Sequence, residues 1–299
     1  MIKWTLGIGA LLVISVACIY IFVPGKLTIT QVTPVKCSAN EAHRTLADTG
    51  KWKLWQPKSQ YSFSAQEPLP QGIDVMVHFK EETLPSRIVV MPVARDSITL
   101  VWQCEYPGSN NPFKRISSYQ HALDLKDNFA ATLSGLKNYL ENPANVYGYS
   151  IIQTSTKDTM LVAARASSTG APGIQQVYGL INQLKAYAIQ NGALQTGYPM
   201  LNVTPLGDNK FQFMVAVPVN KELPAKGDFF ARRMVPGNFL MTEAKGGLKT
   251  VDDAMKQLQQ FAIDHQRTSM AITFQVMVTD RQQEQDTTKW VTRLYYPVM

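Results

Sequence analysis

The residues from 146 to 299 repeat themselves, and a repeat restricts the fold more tightly than any single motif. Each unit reads as extended segments, one long helix, then two strands closing on x-Pro-Val. In the first unit the strands are expected at 149–154 and 159–166, the helix at 173–190, and the closing strands at 199–203 and 211–217, before Pro218-Val219. In the second they are expected at 229–234 and 239–245, the helix at 250–265, and the closing strands at 271–278 and 290–296, before Pro297-Val298. Pro218 and Pro297 stand 79 positions apart, and the helix starts are spaced nearly alike. Val177, Ile181, Leu184 and Ala188 make an apolar stripe on the first helix; Val251, Met255, Leu258 and Ala262 make its equal on the second. Such stripes specify packing against a sheet, not chemistry. Asn191-Gly192 supplies a helix stop, and Gly246-Gly247 lets the chain turn sharply before the second helix.

Ahead of the repeat, residues 6–23 (LGIGALLVISVACIYIFV) carry no charge or strongly polar group. These 18 residues approach the roughly 20 that a helix needs to cross the hydrocarbon layer. Trp4 and Tyr20 sit near the ends, and Pro24-Gly25 closes the run. A transmembrane anchor is expected over residues 1–26. A cleaved signal peptide is the rival, but the run lacks a small-x-small site followed by polar sequence. A lipoprotein cysteine at Cys18 is disfavoured by Ser15 and by the apolar sequence that continues to Val23. Lys3 and the α-amino group favour a cytoplasmic N-terminus, with Lys26 and Lys36 opposing, so the body is expected on the extracytoplasmic side.

Residues 27–142 make a separate block. A strand at 27–35 alternates apolar and polar residues, Ser38 or Asn40 can cap a short helix through Ala47, and Trp52-x-x-Trp55 follows. Further strands are expected at 61–64, 73–79, 87–93 and 97–104, then a helix at 124–141 with Phe129, Leu133, Leu136 and Leu140 on one face. This is an α+β order. The opening strand, Ala39-Asn40-Glu41 leading into a helix, the tryptophan pair and the closing helix resemble the START-like (SRPBCC, polyketide cyclase) family, with one or two strands fewer. In that family a sheet grips the helix around a hydrophobic cavity. For Trp52 and Trp55, packing at the domain mouth is favoured over contact with a ligand.

The duplicated block, with Gly197-Tyr198-Pro199-Met200 after the first helix and Leu294-Tyr295-Tyr296-Pro297-Val298 at the end, resembles the gyrase-inhibitor-like (GyrI-like) or effector-binding domain. The resemblance implies two sheets related by pseudo-two-fold symmetry and an aromatic-lined cleft between them for hydrophobic, often cationic, small molecules. Some relatives hydrolyse toxins there. It also implies a bacterial cell (inner) membrane for the anchor. The family often places a glutamate four residues before the final proline; here that position is Arg293. Strand alternation puts Val291, Arg293 and Tyr295 on one face. Two readings stay open: Arg293 lines the cleft and suits an anion, or it faces solvent or pairs with an acid such as Asp286. The symmetry mates are Met214 and Ala216, and the candidate ligand-binding set is Tyr198, Met200, Phe213, Met214, Phe239, Phe274, Trp290, Arg293 and Tyr295.

The net charge of +7 is spread along the chain, with no basic run longer than Arg232-Arg233, unlike the concentrated charge of nucleic-acid binders. A transmembrane run and a START-like block stand where regulators of this kind carry a helix-turn-helix, so no nucleic-acid partner is expected. No P-loop, GxGxxG or GxSxG elbow is present, and Asp252 and Asp253 suit the first turn of a helix. Four scattered histidines and no CxxC imply neither a metal site nor a cofactor. Cys37 and Cys104 can pair in an oxidising compartment or stay as buried thiols. The expectation is a non-catalytic, membrane-tethered binder of an apolar or amphipathic small molecule in the GyrI-like cleft. A hydrolase using the same cleft and a protein-interaction or envelope-stress module are the alternatives.

Overall fold

The computed structural model describes residues 2–79, 82–234, 236–269 and 271–299, with backbone alone for 2–10 and 12. The chain divides into two compact units, Met1–Asn142 and Pro143–Met299.

The first unit opens with helix α1 (Ile2–Phe22) over the apolar run. Among the described residues no helix is long and apolar enough to cross a membrane. The side chains of 6–10 and 12, which belong to the expected anchor, lie outside those residues. Strand β1 (Lys26–Val35) follows, then α2 (Ala39–Ala47). Ser38 caps α2 by accepting from the Glu41 amide at 3.1 Å, and the Glu41 carboxylate accepts from the Ser38 amide, so two orphan donors of the first turn are met. Strands β2 (Ser62–Leu69), β3 (Gly72–Phe79), β4 (Glu82–Ala94) and β5 (Ser97–Pro107) complete an antiparallel sheet of order β1-β5-β4-β3-β2.

Helix α3 (Pro112–Leu140) starts well before the 124 expected from its apolar stripe. Its start signal is Asn111-Pro112. The Asn111 side chain accepts from the Phe113 and Lys114 amides at 3.0 and 3.2 Å, and proline sits where no amide hydrogen is needed. Leu125, Phe129, Leu133 and Leu136 are fully buried. The family resemblance predicts a cavity between sheet and helix, but aromatic rings occupy this space. Trp102 stacks on Phe129 at 4.1 Å, with Phe63 5.0 Å from Trp102. The Trp102 indole donates to Ser86 Oγ at 3.0 Å, and Ser86 donates to the Val75 carbonyl at 2.7 Å, so the indole and this hydroxyl are satisfied. Trp52 and Trp55 are both buried and 5.4 Å apart. Cys37 and Cys104 are free buried thiols, which closes the disulfide reading.

The second unit runs through α4 (Pro143–Tyr147), β6 (Ile152–Ser155), β7 (Thr159–Thr169), α5 (Ile174–Gln190), β8 (Met200–Gly207) and β9 (Lys210–Val219). The second repeat is β10 (Phe229–Met234), β11 (Asn238–Lys245), α6 (Leu248–Asp264), β12 (Phe274–Met277) and β13 (Val291–Pro297). Instead of two separate sheets there is one antiparallel sheet, β10-β7-β9-β8-β12-β13-β11-β6. The repeats exchange their first strands. β6 pairs with β11 of the second repeat, and β10 pairs with β7 of the first. The halves join through two residue pairs, Leu201 with Gln275 and Met200 with Val276.

Helix α5 lays Val177, Ile181, Leu184 and Ala188 on Val162, Ala164, Val215 and Val217. It ends as expected: Gly192 has φ +64°, and the Ala193 amide reaches back to the Ala188 carbonyl at 2.9 Å. Helix α6 buries Val251, Ala254, Leu258 and Ala262.

Candidate functional site

The strand period decides which residues meet on the helix-free face of the second sheet. On β9, Phe213, Val215 and Val217 belong to the core under α5, so Met214 and Ala216 point the other way. There Ala216 joins Leu161 and Ala163 of β7 in a small buried floor, edged by Met200, Met214, Phe230 and Met234. Next to it stands an aromatic wall. The Phe274 and Tyr295 rings stack at 4.8 Å and 6° between planes, and Phe239 meets both edge-on at 5.6 and 6.1 Å. These pairings follow from register, since β13 places Tyr295 opposite Phe274 on one side and Met241, next along from Phe239, on the other.

Two open hollows adjoin across this face and share Met200, Met234 and Phe274. One, of about 360 Å³, holds Leu161, Ala163, Met214, Ala216 and Arg232. The other, of about 660 Å³, holds Tyr198, Pro218, Arg293 and Tyr295. Both volumes fall in the range of small-molecule sites. Methionines at the shared rim supply adaptable apolar contact.

Charge is set around the edge. Arg293 donates through Nε to Glu243 Oε2 at 3.2 Å, its cross-strand neighbour in the register. The second reading of Arg293 named Asp286, which instead caps a short turn by accepting from the Thr288 amide at 3.0 Å. Both partners of the Arg293–Glu243 pair are substantially exposed, so it holds orientation more than it stabilises. At the far edge Arg233 donates to Asp158 through Nε at 2.8 Å and through Nη2, which holds the Asp158 carboxyl below its ordinary pKa. Arg232 lines the smaller hollow and is exposed. The cleft therefore offers an apolar floor, stacked rings and guanidinium groups, with Glu243 and Asp158 engaged by arginines. A guanidinium does not act as a base near neutral pH. No group of three or more metal-ligating side chains occurs among the described residues.

Tyr198, Met200, Met214, Phe274, Arg293 and Tyr295 thus come together, with Phe239 packed behind them. Phe213 does not join them; it is buried in the core under α5. Trp290 is buried elsewhere, its indole donating to the Glu284 carbonyl at 2.8 Å. Leu161, Ala163, Met234, Arg232 and Glu243 join the cleft or its rim from outside the expected set. Glu243 was legible as the third member of the alternation Phe239-x-Met241-x-Glu243, whereas Met234 and Arg232 arrive only through the strand exchange.

The second unit is similar to the GyrI-like effector-binding fold. The EcmrR–DNA complex aligns at 15% identity and TM-score 0.47, covering 63% of this chain and 72% of that one. SAV2435 bound to tetraphenylphosphonium aligns at 18% identity and TM-score 0.34, covering 50% of this chain and 93% of that one. The Zhui aromatase/cyclase from Streptomyces sp. R1128 aligns at 13% identity and TM-score 0.30, covering 40% of this chain and 96% of that one. No family model and no curated protein matches the chain.

Proposed function

We propose that the second unit is a binding module for an apolar or amphipathic small molecule, held in the helix-free cleft against Phe274 and Tyr295. The observation that carries this is the preformed ring stack beside two open hollows, the smaller mainly apolar and the larger mixed in character. Buried rings ordinarily complete their contacts with neighbouring side chains; here Phe274 and Tyr295 keep part of their surface open toward the hollows. Arginines at the rim favour neutral or anionic head groups over cations. The test is titration of the full chain, in neutral detergent, with the apolar fluorophore N-phenyl-1-naphthylamine. Saturable binding is expected, weakened tenfold or more by Met200→Trp, which fills the hollow. A wild-type protein that leaves the dye's emission unchanged sinks the reading.

The same proposal places the module on a membrane, tethered by α1 with the body on the extracytoplasmic side of a bacterial inner membrane. Two features of the first unit support a tether. The helix continues through the uncharged run to Phe22, and its end is tied to the start of α3. Arg115 donates to the Val23 carbonyl at 2.6 Å and covers the Tyr20 ring at 4.9 Å, while Tyr20 donates to the Asn110 carbonyl. Phe113, 77% exposed, lies beside that junction, where an interfacial ring is at home. Removing residues 1–23 is expected to move the protein from the membrane pellet to the supernatant. Equal pelleting of both forms under alkaline carbonate sinks the tether.

A further inference from the structure

A third hollow lies on the opposite face of the second sheet, over the central strands and away from the cleft floor. Val177 and Tyr178 of α5 and Val251 and Met255 of α6 wall it, with Leu201 and Met277 beneath. Its volume of about 430 Å³ suits a small molecule. It sits over the short β8–β12 pairing, where Leu201 meets Gln275 and Met200 meets Val276. Asn202, which bridges to the Thr273 carbonyl at 2.8 Å, and Phe274 line both this hollow and the smaller cleft hollow.

Arg281 borders the hollow and is 7% exposed. Its Nη2 donates to Thr292 Oγ1 at 2.8 Å, and its guanidinium lies 5.0 Å from the Trp290 ring centroid. Its Nε is buried without an acceptor. No carboxylate pairs with it among the described residues. Asp252, the acid on the hollow's rim, is exposed and paired with Lys256 at 2.7 Å. Tyr178, the other polar group at this end, is occupied, donating to the Thr279 carbonyl at 3.3 Å and accepting from the Arg281 amide at 2.7 Å. Removing a guanidinium from water without a counter-ion is costly, and the deficit is recovered when an anion completes it. Burial accordingly presses the Arg281 pKa down. An apolar cavity bordered by a buried guanidinium that has no carboxylate partner among the described residues and an Nε without an acceptor matches a molecule with an apolar chain and one anionic end.

We propose that this hollow binds an amphipathic carboxylate, its head group on the Arg281 guanidinium and its chain along Val177, Leu201, Met255 and Met277. The hollow lies on the other face of the sheet from the cleft and shares Leu201, Asn202 and Phe274 with it, whereas Arg281 and Met255 line this hollow alone. The experiment is calorimetric titration of the full chain, in neutral detergent, with decanoate and with decanol. Decanoate is expected to bind about tenfold more tightly than decanol, the factor that one charge-assisted hydrogen bond supplies. Arg281→Gln is expected to erase that preference and Met255→Trp to weaken both ligands, while Arg87→Gln, a substitution in the first unit, changes neither. Three results overturn the proposal: equal affinities or no decanoate binding in the wild type, a preference that survives Arg281→Gln, or one lost in Arg87→Gln. The last would move the carboxylate to the first unit and leave the cleft reading standing. If Arg281→Gln fails to fold by circular dichroism, Met255→Trp decides, and undiminished decanoate binding in that variant overturns the assignment.

Discussion

The Phe274–Tyr295 stack is the feature whose energy can be worked out and measured most directly. Replacing either ring by leucine removes about 1 kcal/mol of apolar burial, because both rings are only partly buried. It also removes the stack, worth about 1 kcal/mol beyond burial at 4.8 Å and near-parallel planes. Each single variant, Phe274→Leu or Tyr295→Leu, should therefore lose about 2 kcal/mol. The double variant should lose about 3 rather than 4 kcal/mol, because the stack can be lost only once. The edge contacts of Phe239 disappear separately with each ring and cancel in the cycle. Trp290 is the one tryptophan of the second unit. Labelling with fluorotryptophan and following its fluorine resonance through urea unfolding isolates that unit's transition. A coupling energy near 1 kcal/mol is expected; additivity within about 0.3 kcal/mol would mean that the rings do not touch, and the preformed binding wall would be gone.

Phe213→Ala should cost about 3–5 kcal/mol, as for a fully buried ring, yet leave the affinity for N-phenyl-1-naphthylamine unchanged in the protein that remains folded, since Phe213 belongs to the core under α5. Gly135→Ala, a substitution that improves helix propensity by about 1 kcal/mol elsewhere, should instead lower the melting temperature of the first unit, because a Cβ there collides with the Trp55 carbonyl; an unchanged or raised value in a thermal melt contradicts that packing. Burial raises Cys104 from 9.0 to about 11 and pushes the Cys37 thiol up as well. The folded state holds the Cys104 proton more tightly than the unfolded chain, so this thiol's contribution is intact below pH 9.0 and is lost as the pH rises toward about 11. Urea midpoints should therefore fall more steeply over that window in the wild type than in Cys104→Ala, and both thiols should resist iodoacetamide at pH 8 until the protein is unfolded.

Periodicity in the sequence was enough to identify most elements. The stripes at Val177–Ala188 and Val251–Ala262 mark helices that each bury one face, and both form. Alternation along β9 and β13 placed Met214 with Ala216 and Arg293 with Tyr295, and those pairs line the cleft. Elements with a weak local pattern are not marked by periodicity. The first turns of α3 present exposed Phe113, Ile116 and Tyr119 in place of a buried stripe, so only the Asn111-Pro112 cap announces them. Phe213 and Trp290 failed as cleft residues because aromatic character says nothing about which face a ring takes; the strand's parity decides that.

The duplication, the helix stripes, the strand parities and the uncharged opening run are legible in the chain alone, because each is written in spacings of a few residues that water and backbone geometry read directly. Packing in three dimensions adds that β6 and β10 change places between the repeats, that Glu243 rather than Asp286 meets Arg293, and that Arg281 is buried beside a cavity with no carboxylate paired to it among the described residues. Strand edges offer the same amide and carbonyl groups whatever their side chains, so the partner that each edge takes is settled by the packing of the whole sheet.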